Sequence, residues 1–213
     1  MTWAEVLATL LPDVLSWERG WPYYLGAIAF GYACGSIPFG VIVSRVMNLG
    51  DLRSIGSGNI GATNVLRTGN KGAAAATLAL DMVKGWAPVA IMLMMWGDLT
   101  AQLAAIGAVL GHLFPVWLSF KGGKGVATFI GVTLGLGVFA GLLACASWLA
   151  AAALFRISSL AALIMTALTP VWLWVVGERG AIWAIVLIAP LIWQRHGENI
   201  TRLLAGEEPK IGK

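Results

Sequence analysis

VATFIGVTLGLGVFAGLLACASWLAAAALF, residues 126–155, carries no charged side chain over thirty positions, and its reading decides the fold. As one helix it would be ~45 Å long at 1.5 Å per residue, well beyond the ~30 Å hydrocarbon core of a bilayer. The alternative is two short helices joined near Gly135 to Gly141, where Gly135, Gly137 and Gly141 permit a turn. Other apolar stretches run at 23–47, 72–96, 101–118, 157–176 and 180–194, each long enough to cross or nearly cross the membrane. Parity separates the two options. With a hairpin at 126–155 there are seven spans, and the polar segments 48–71, 119–125 and 195–213 share one side. With a single helix the last segment is stranded opposite the other two.

The distribution of cations favours the hairpin. Arg45, Arg53, Arg67, Lys71, Lys121, Lys124, Arg156, Arg195, Arg202, Lys210 and Lys213 then lie together, leaving Arg19 and Arg179 on the far side and Lys84 in the membrane. Because basic loops stay cytoplasmic, the expected fold is an all-α integral membrane protein of seven transmembrane helices, N-terminus outside and C-terminus cytoplasmic. Composition agrees: charged residues are 11% and hydrophobic residues 59% of 213, with 11 Trp and 27 Gly, against about 25% charge in a soluble domain. Residues 1–22 read as an N-terminal amphipathic extension, without the basic start of a secretory signal, and 23–213 as a single membrane domain. Cys34 and Cys145 lie in apolar stretches as inert packing residues. The net charge of +4 reads as membrane orientation and anionic ligands, not nucleic acid, since too few cations lie outside lipid to form a groove.

Chemistry concentrates in the polar segments. The first, DLRSIGSGNIGATNVLR at 51–67, matches G-x-G-x-x-G at Gly56, Gly58 and Gly61, but no βαβ unit surrounds it, so the dinucleotide reading fails. Its glycines let backbone N–H groups approach an anion. Ser57, Asn59, Thr63 and Asn64 add neutral donors, and Arg53 and Arg67 add charge. The bland alternative is a polar loop that only turns the chain. The second segment, Lys121-Gly122-Gly123-Lys124-Gly125, is not a Walker A loop. Two ammonium groups on a glycine clamp at a helix start make a phosphate site, with an ordinary positive-inside loop as the competing reading. In the third, His196, Asn199 and Arg202 fall at i, i+3 and i+6, a face for a ligand or a solvated amphipathic tail.

Asp81 and Lys84 stand at i, i+3 inside an apolar stretch, where each costs roughly 2.5 to 3.5 kcal/mol on insertion scales, and are expected to pair. His112 reads either as hydrogen-bonded structure or as a catalyst, and Ser36 as accommodating a kink at Pro38. Two histidines 84 residues apart argue against a metal site, and no cofactor is expected. G-x-S-x-G and His-x-x-x-x-Asp are both absent, so any acyl chemistry must begin from an already activated donor.

Together, GSIPFG at 35–40, DLRSIGSGNIGATNVLRTGNKG at 51–72, LDMVKG at 80–85, GHLFPVWLSFKGGKGVAT at 111–128 and NITRLLAGEEPKIG at 199–212 resemble the bacterial membrane glycerol-3-phosphate acyltransferases that use acyl phosphate, the PlsY family. The resemblance covers 23–213. It implies seven spans, a site at the cytoplasmic side of the bacterial inner membrane, and acyl transfer from acyl phosphate to the 1-hydroxyl of glycerol 3-phosphate, giving lysophosphatidate. With so activated a donor no covalent acyl-enzyme is expected, and no obligate protein partner is evident from the sequence. By the same resemblance Ser57, Thr63, Arg67, Lys124, His196 and Asn199 line the site, with His196, Lys124, Arg67 and Asn199 as its catalytic residues and Ser57 and Thr63 binding substrate. Arg53, Gly58, Asn59, Asn64, Lys121, Gly122, Gly123 and Ser159 join them as substrate-binding residues. Two departures stand out: Gly197 follows His196 where the family has Arg, and Ala162 replaces the second of two serines after Arg156. The proton acceptor is either His196 or a substrate phosphate oxygen, with the latter favoured. A transporter of a small phosphorylated solute is the competing function.

Overall fold

A computed structural model describes residues 17–56 and 58–212, with side chains described from Arg19 onward. The described residues are all helical, without strands. In order they form α1 (Trp17–Gly35), α2 (Phe39–Val46), the short α3 (Ala62–Leu66), α4 (Lys71–Trp96), α5 (Asp98–Leu113), α6 (Val126–Leu136), α7 (Val138–Phe155), α8 (Ser158–Val176), α9 (Ile182–Arg195) and α10 (Gly197–Leu204). Five of the helical stretches are long and apolar enough to cross a bilayer: Arg19–Val46, Lys71–Trp96, Asp98–Leu118, Val138–Phe155 and Ser158–Val176, with Val126–Leu136 shorter. By length and composition these helices read as membrane spans.

The 126–155 stretch is two helices, meeting at Gly137. Backbone freedom is not why glycine stands there: its φ of −173° is extended backbone open to any residue. A Cβ there would sit 2.8 Å from Cγ of exposed Glu178, a side chain that can shift to admit it. The first helix also differs from expectation. It begins by Trp17, so 17–22 belong to α1, while 1–16 of the expected amphipathic extension lie outside the described residues.

Helix α4 turns at Gly97 into the antiparallel α5, so Lys71 and Leu113 share an end. Helix α6 leaves that end, and Leu136 reaches a cavity of about 170 Å3 shared with Asp98 and Glu178 at the other. Helix α7 returns, and Arg156 at its end meets the C-terminal tail through Ile211. Helix α8 departs again, and α9 brings Arg195 back to Gly122. The polar stretches 47–70, 114–125 and 196–212 therefore meet at one end.

Lipid supplies no hydrophobic drive between helices, so packing depends on backbone approach. A Cβ on Gly31 or Gly35 of α1 would collide with the carbonyls of Ala104 or Ala108 in α5. Reciprocally, one on Gly107 or Gly111 would collide with those of Ile28 or Tyr32. Gly85 of α4 and Gly131 of α6 interlock in the same way, against Thr128 and Met82. Leu142, Leu149, Val171 and Leu187 point outward, as lipid-facing positions should.

Pro38 separates α1 from α2, and the Ile37 carbonyl at that break accepts the Phe39 N–H at 3.1 Å. Lys84 supplies a second donor: its Nζ donates to Ile37 O at 2.8 Å and lies 2.7 Å from Asp81 Oδ1, both side chains being almost fully buried. Ser36 Oγ donates to Ala33 O at 2.8 Å, and Trp117 Nε1 donates to Ser36 Oγ at 2.9 Å, so GSIPFG is also an anchor for the 116–120 loop. Asp81→Ala strands a buried ammonium, which typically costs about 3 to 5 kcal/mol. The expected outcome is a several-fold lower yield of monodisperse protein in detergent, measured by size exclusion. A well-folded Asp81→Ala protein that fails only in turnover would move Asp81 into the site.

Candidate active site

The C-terminal tail organises the cluster at the polar end. Helix α10 stops at Gly206, whose φ of +73° is the left-handed conformation that lets the chain reverse. The Glu207 N–H then donates back to Arg202 O at 2.8 Å. This reversal carries Glu208 toward the start of α8. Its Oε1 accepts from Ser159 Oγ at 2.7 Å and Asn199 Nδ2 at 2.5 Å, and its Oε2 from Arg202 Nε at 2.7 Å. Lys124 Nζ donates to Asn199 Oδ1, so Lys124, Asn199, Glu208, Ser159 and Arg202 form one connected network drawn from α8, α10, the tail and the segment before α6. Two hydrogen bonds fasten the tail, Ile211 N–H to Arg156 O at 2.6 Å and Arg156 Nη2 to Ile211 O at 3.2 Å.

Burial and charge tune this cluster. Burial lowers the Lys124 ammonium from its usual 10.5, against the opposing pull of the Glu208 carboxylate. For Glu208, burial works to raise the carboxyl, but hydrogen bonds from Asn199, Ser159 and Arg202 outweigh it and leave the value lowered. Burial also lowers His196, opposed by its bond to the Ile192 carbonyl. Nδ1 of His196 lies 2.8 Å from that carbonyl oxygen. The oxygen can only accept, so Nδ1 carries the proton and the neutral ring has its free lone pair on Nε2.

The first segment is built differently from the expected cradle. Asn59 Oδ1 accepts from Gly61 N–H at 2.9 Å, buried Asn64 donates from Nδ2 to Leu52 O at 2.8 Å, and Gly58 N–H donates to Ile55 O at 2.9 Å. These three groups shape the loop itself. A Cβ at Gly40 of α2 would collide with the Ile60 carbonyl, so the loop is seated tightly on that helix. Arg53, Thr63 and Arg67 stand exposed at the surface of the polar end, and Ser57 lies outside the described residues.

The second segment departs from a phosphate clamp more sharply. Gly122 N–H donates to Leu113 O at 3.2 Å and Gly123 N–H to His112 O at 3.1 Å, capping the last carbonyls of α5. Their amides are committed to the fold. The reason for glycine is close approach, since a Cβ on Gly122 or Gly123 would strike the carbonyl or the imidazole of His112. Gly125, at φ +86°, then turns the chain into α6. Of this motif, exposed Lys121 and half-buried Lys124 are what remains for an anion.

His112 is fully enclosed beneath the glycines, with Nδ1 4.0 Å from Asp81 Oδ1, and is part of the scaffold. Sequence reasoning missed Glu208. The available signal was Gly206, a helix stop followed at once by two carboxylates and close enough to α10 to fold back on it. Among the described residues no group of three His, Cys, Asp or Glu is placed to hold a metal ion.

A helical membrane protein whose half-buried lysine, asparagine amide and guanidinium groups gather at one polar end has the donors that a phosphorylated substrate at a bilayer surface requires. The family model described as glycerol-3-phosphate acyltransferase matches residues 25–206. Curated relatives named "Glycerol-3-phosphate acyltransferase" include one from Methylorubrum populi, 55% identical over 91% of this chain and 96% of its own length. One from Sinorhizobium medicae is 53% identical over 94% and 98%. Among solved structures, the glycerol 3-phosphate form of PlsY (YgiH), an integral membrane glycerol 3-phosphate acyltransferase, superposes with a TM-score of 0.83 at 37% identity, covering 89% of this chain and 96% of that one. Its lysophosphatidic acid form gives 0.81 at 35%, covering 89% and 95%. The chain belongs to the glycerol-3-phosphate acyltransferase family.

Proposed function

We infer that this protein transfers a fatty acyl group from acyl phosphate to the 1-hydroxyl of sn-glycerol 3-phosphate, giving lysophosphatidate and phosphate. The observation that carries the reading is the Lys124–Asn199–Glu208 network at the polar end of a chain in this family. Residues 23–213 would form one acyltransferase domain. In the bacterial inner membrane, α1 with α2, then α4, α5, α6, α7, α8 and α9 would make seven crossings, with the polar end cytoplasmic by its excess of cations.

An acyl phosphate is a mixed anhydride, so its carbonyl needs no enzyme nucleophile once the acceptor hydroxyl is held against it. The glycerol oxygen forms the new C–O bond as the bond to phosphate breaks. The hydroxyl proton passes to an oxygen of the departing phosphate, with His196 orienting the substrates. Support for that choice is the Nδ1 partner of His196, a backbone carbonyl and not a carboxylate, together with the burial that outweighs it and disfavours an imidazolium. Lys124 neutralises charge developing on the leaving phosphate, Asn199 and Ser159 orient, and Arg53, Thr63, Arg67 and Lys121 hold the second phosphate at the rim. Gly58, Asn59, Asn64, Gly122 and Gly123 would support these groups from behind.

Purified protein in detergent with palmitoyl phosphate and glycerol 3-phosphate should yield lysophosphatidate. Folded protein that makes none would sink the enzyme reading, and vesicle uptake of a phosphorylated solute would then decide for transport.

The pH profile gives a second check. Lys124 must be charged to assist, and burial lowers its value from 10.5. Activity as kcat/KM should therefore fall along an alkaline limb centred below that value. Lys124→Arg, whose guanidinium does not deprotonate in this range, should move the limb upward. A limb unmoved by the substitution belongs to another group.

A further inference from the structure

Arg195 has no acidic partner within ion-pair distance among the described residues, yet it stands between the catalytic segments. Its guanidinium donates from Nη2 to Gly122 O at 2.9 Å and from Nε to Gly123 O at 3.3 Å, and lies 5.7 Å from the centre of the Phe114 ring. The opposite edge of the same two residues donates to α5, through Gly122 N–H to Leu113 O and Gly123 N–H to His112 O. Both glycines are buried. Their peptide groups are thus held from two sides, by the end of α5 through the amides and by the end of α9 through the carbonyls. The next residue is Lys124, and three positions beyond His196 on the α9–α10 side is Asn199, which accepts the lysine's hydrogen bond.

We propose that Arg195 is a positioning residue: it clamps the Gly122–Gly123 carbonyls to the end of α9 and so fixes the point from which Lys124 reaches the substrate. The proposal deepens the acyltransferase reading and rests on it for the kinetic consequence alone. A planar fork is required, because two neighbouring carbonyls must be bridged by one rigid side chain, and an ammonium offers only a point charge. The glycines are required too, since any Cβ on them would push the segment off His112 and away from the clamp. Lys124 has a long flexible stem. Without a fixed anchor its ammonium samples many placements, and a misplacement of about 1 Å can cost on the order of 10²-fold in rate.

Arg195→Gln and Arg195→Lys test this on the full chain in detergent, with two readouts. The first is independent of activity: the rate at which a water-soluble amine reagent acetylates Lys124, followed by peptide mass spectrometry. Release of the anchor should expose the half-buried amine and raise that rate several-fold in both variants, with size-exclusion profiles like the parent's. The second is kinetic. Turnover should fall roughly 30- to 100-fold while KM for glycerol 3-phosphate stays within about threefold.

In a Lys124→Ala background Arg195→Lys should cost little more, because the two act as one unit. An unchanged acetylation rate in a folded variant would overturn the proposal. So would losses that multiply in the double variant, which would make Arg195 an independent group. Full rescue of turnover by Arg195→Lys would also overturn it, by reducing the clamp to a charge. If Arg195→Gln does not fold, Arg195→Lys carries both readouts. Parent protein that acetylates as expected but makes no lysophosphatidate would remove the acyltransferase reading and leave the clamp standing.

Discussion

Lys124→Ala should lower turnover of palmitoyl phosphate with glycerol 3-phosphate by roughly 10³-fold, the loss expected when a preorganised charge donor is removed from a water-poor site. Two physical facts set that size. The ammonium is half-buried, so its field is less screened than that of exposed Arg67 or Lys121. It is also already aimed, through its hydrogen bond to Asn199, so little reorganisation is needed when negative charge develops on the departing phosphate.

Folding should survive, because only Asn199 Oδ1 loses its donor, and Asn199 keeps its bond to Glu208 at 2.5 Å. The measurement is kcat by product mass spectrometry, alongside size exclusion and thermal unfolding. Lys124→Arg should recover part of the rate, since charge returns in a different shape. A near-normal rate in Lys124→Ala would dismantle the charge-stabilisation account and leave Lys124 as a tether for the tail.

What the sequence made legible follows from what periodicity and solvation cost can encode. Length left an uncharged stretch of thirty residues either strongly tilted or broken in a ~30 Å core; the side that the polar segments and their cations must share decided for a break inside 126–155, and the structure has it at Gly137. The Asp81–Lys84 pairing was legible because two lone ionisable groups at i, i+3 in lipid have nowhere else to turn. Partners were less so. The glycines of 122–123 have the composition of an anion clamp, and only coordinates reveal that their amides are already bound to His112 and Leu113. Asn64 reads as a ligand donor for the same reason and instead holds Leu52. Glu208 was invisible to a search for phosphate sites, which looks for cations and treats a carboxylate as repulsive.

Glu208 in fact gathers the donors of the site, which is why Glu208→Ala should be the most destabilising single change to this end of the protein. Three hydrogen bonds end on its carboxylate, whose side chain is 7% exposed. Those from Ser159 and Asn199 are shielded, and hydrogen bonds to a charged group are worth about 1.5 to 3 kcal/mol each. The Arg202 contribution is smaller, because that side chain is 37% exposed and the pair is screened by solvent. A net loss of about 2 to 4 kcal/mol allows for water replacing part of the network. Near 2 to 4 °C per kcal/mol, unfolding in detergent should come roughly 4 to 16 °C earlier.

Turnover should fall with it, by about 10²-fold or more, since Asn199 then has no acceptor to hold its amide and the group that Lys124 leans on is no longer fixed. Glu208→Gln separates shape from charge. It keeps the size but offers an NH2 to neighbours that are themselves donors, so it should resemble alanine more than glutamate. The pH dependence has a definite sign: hydrogen bonds lower the folded value of Glu208 below its usual 4.5. Its stabilisation is therefore complete above that usual value and is lost as pH falls through the lowered one. The parent's unfolding temperature should drop faster than the Glu208→Gln variant's on acidification below about pH 4.5. Parallel acid profiles for the two proteins would mean that the carboxylate's charge contributes nothing and that the tail is held by shape alone.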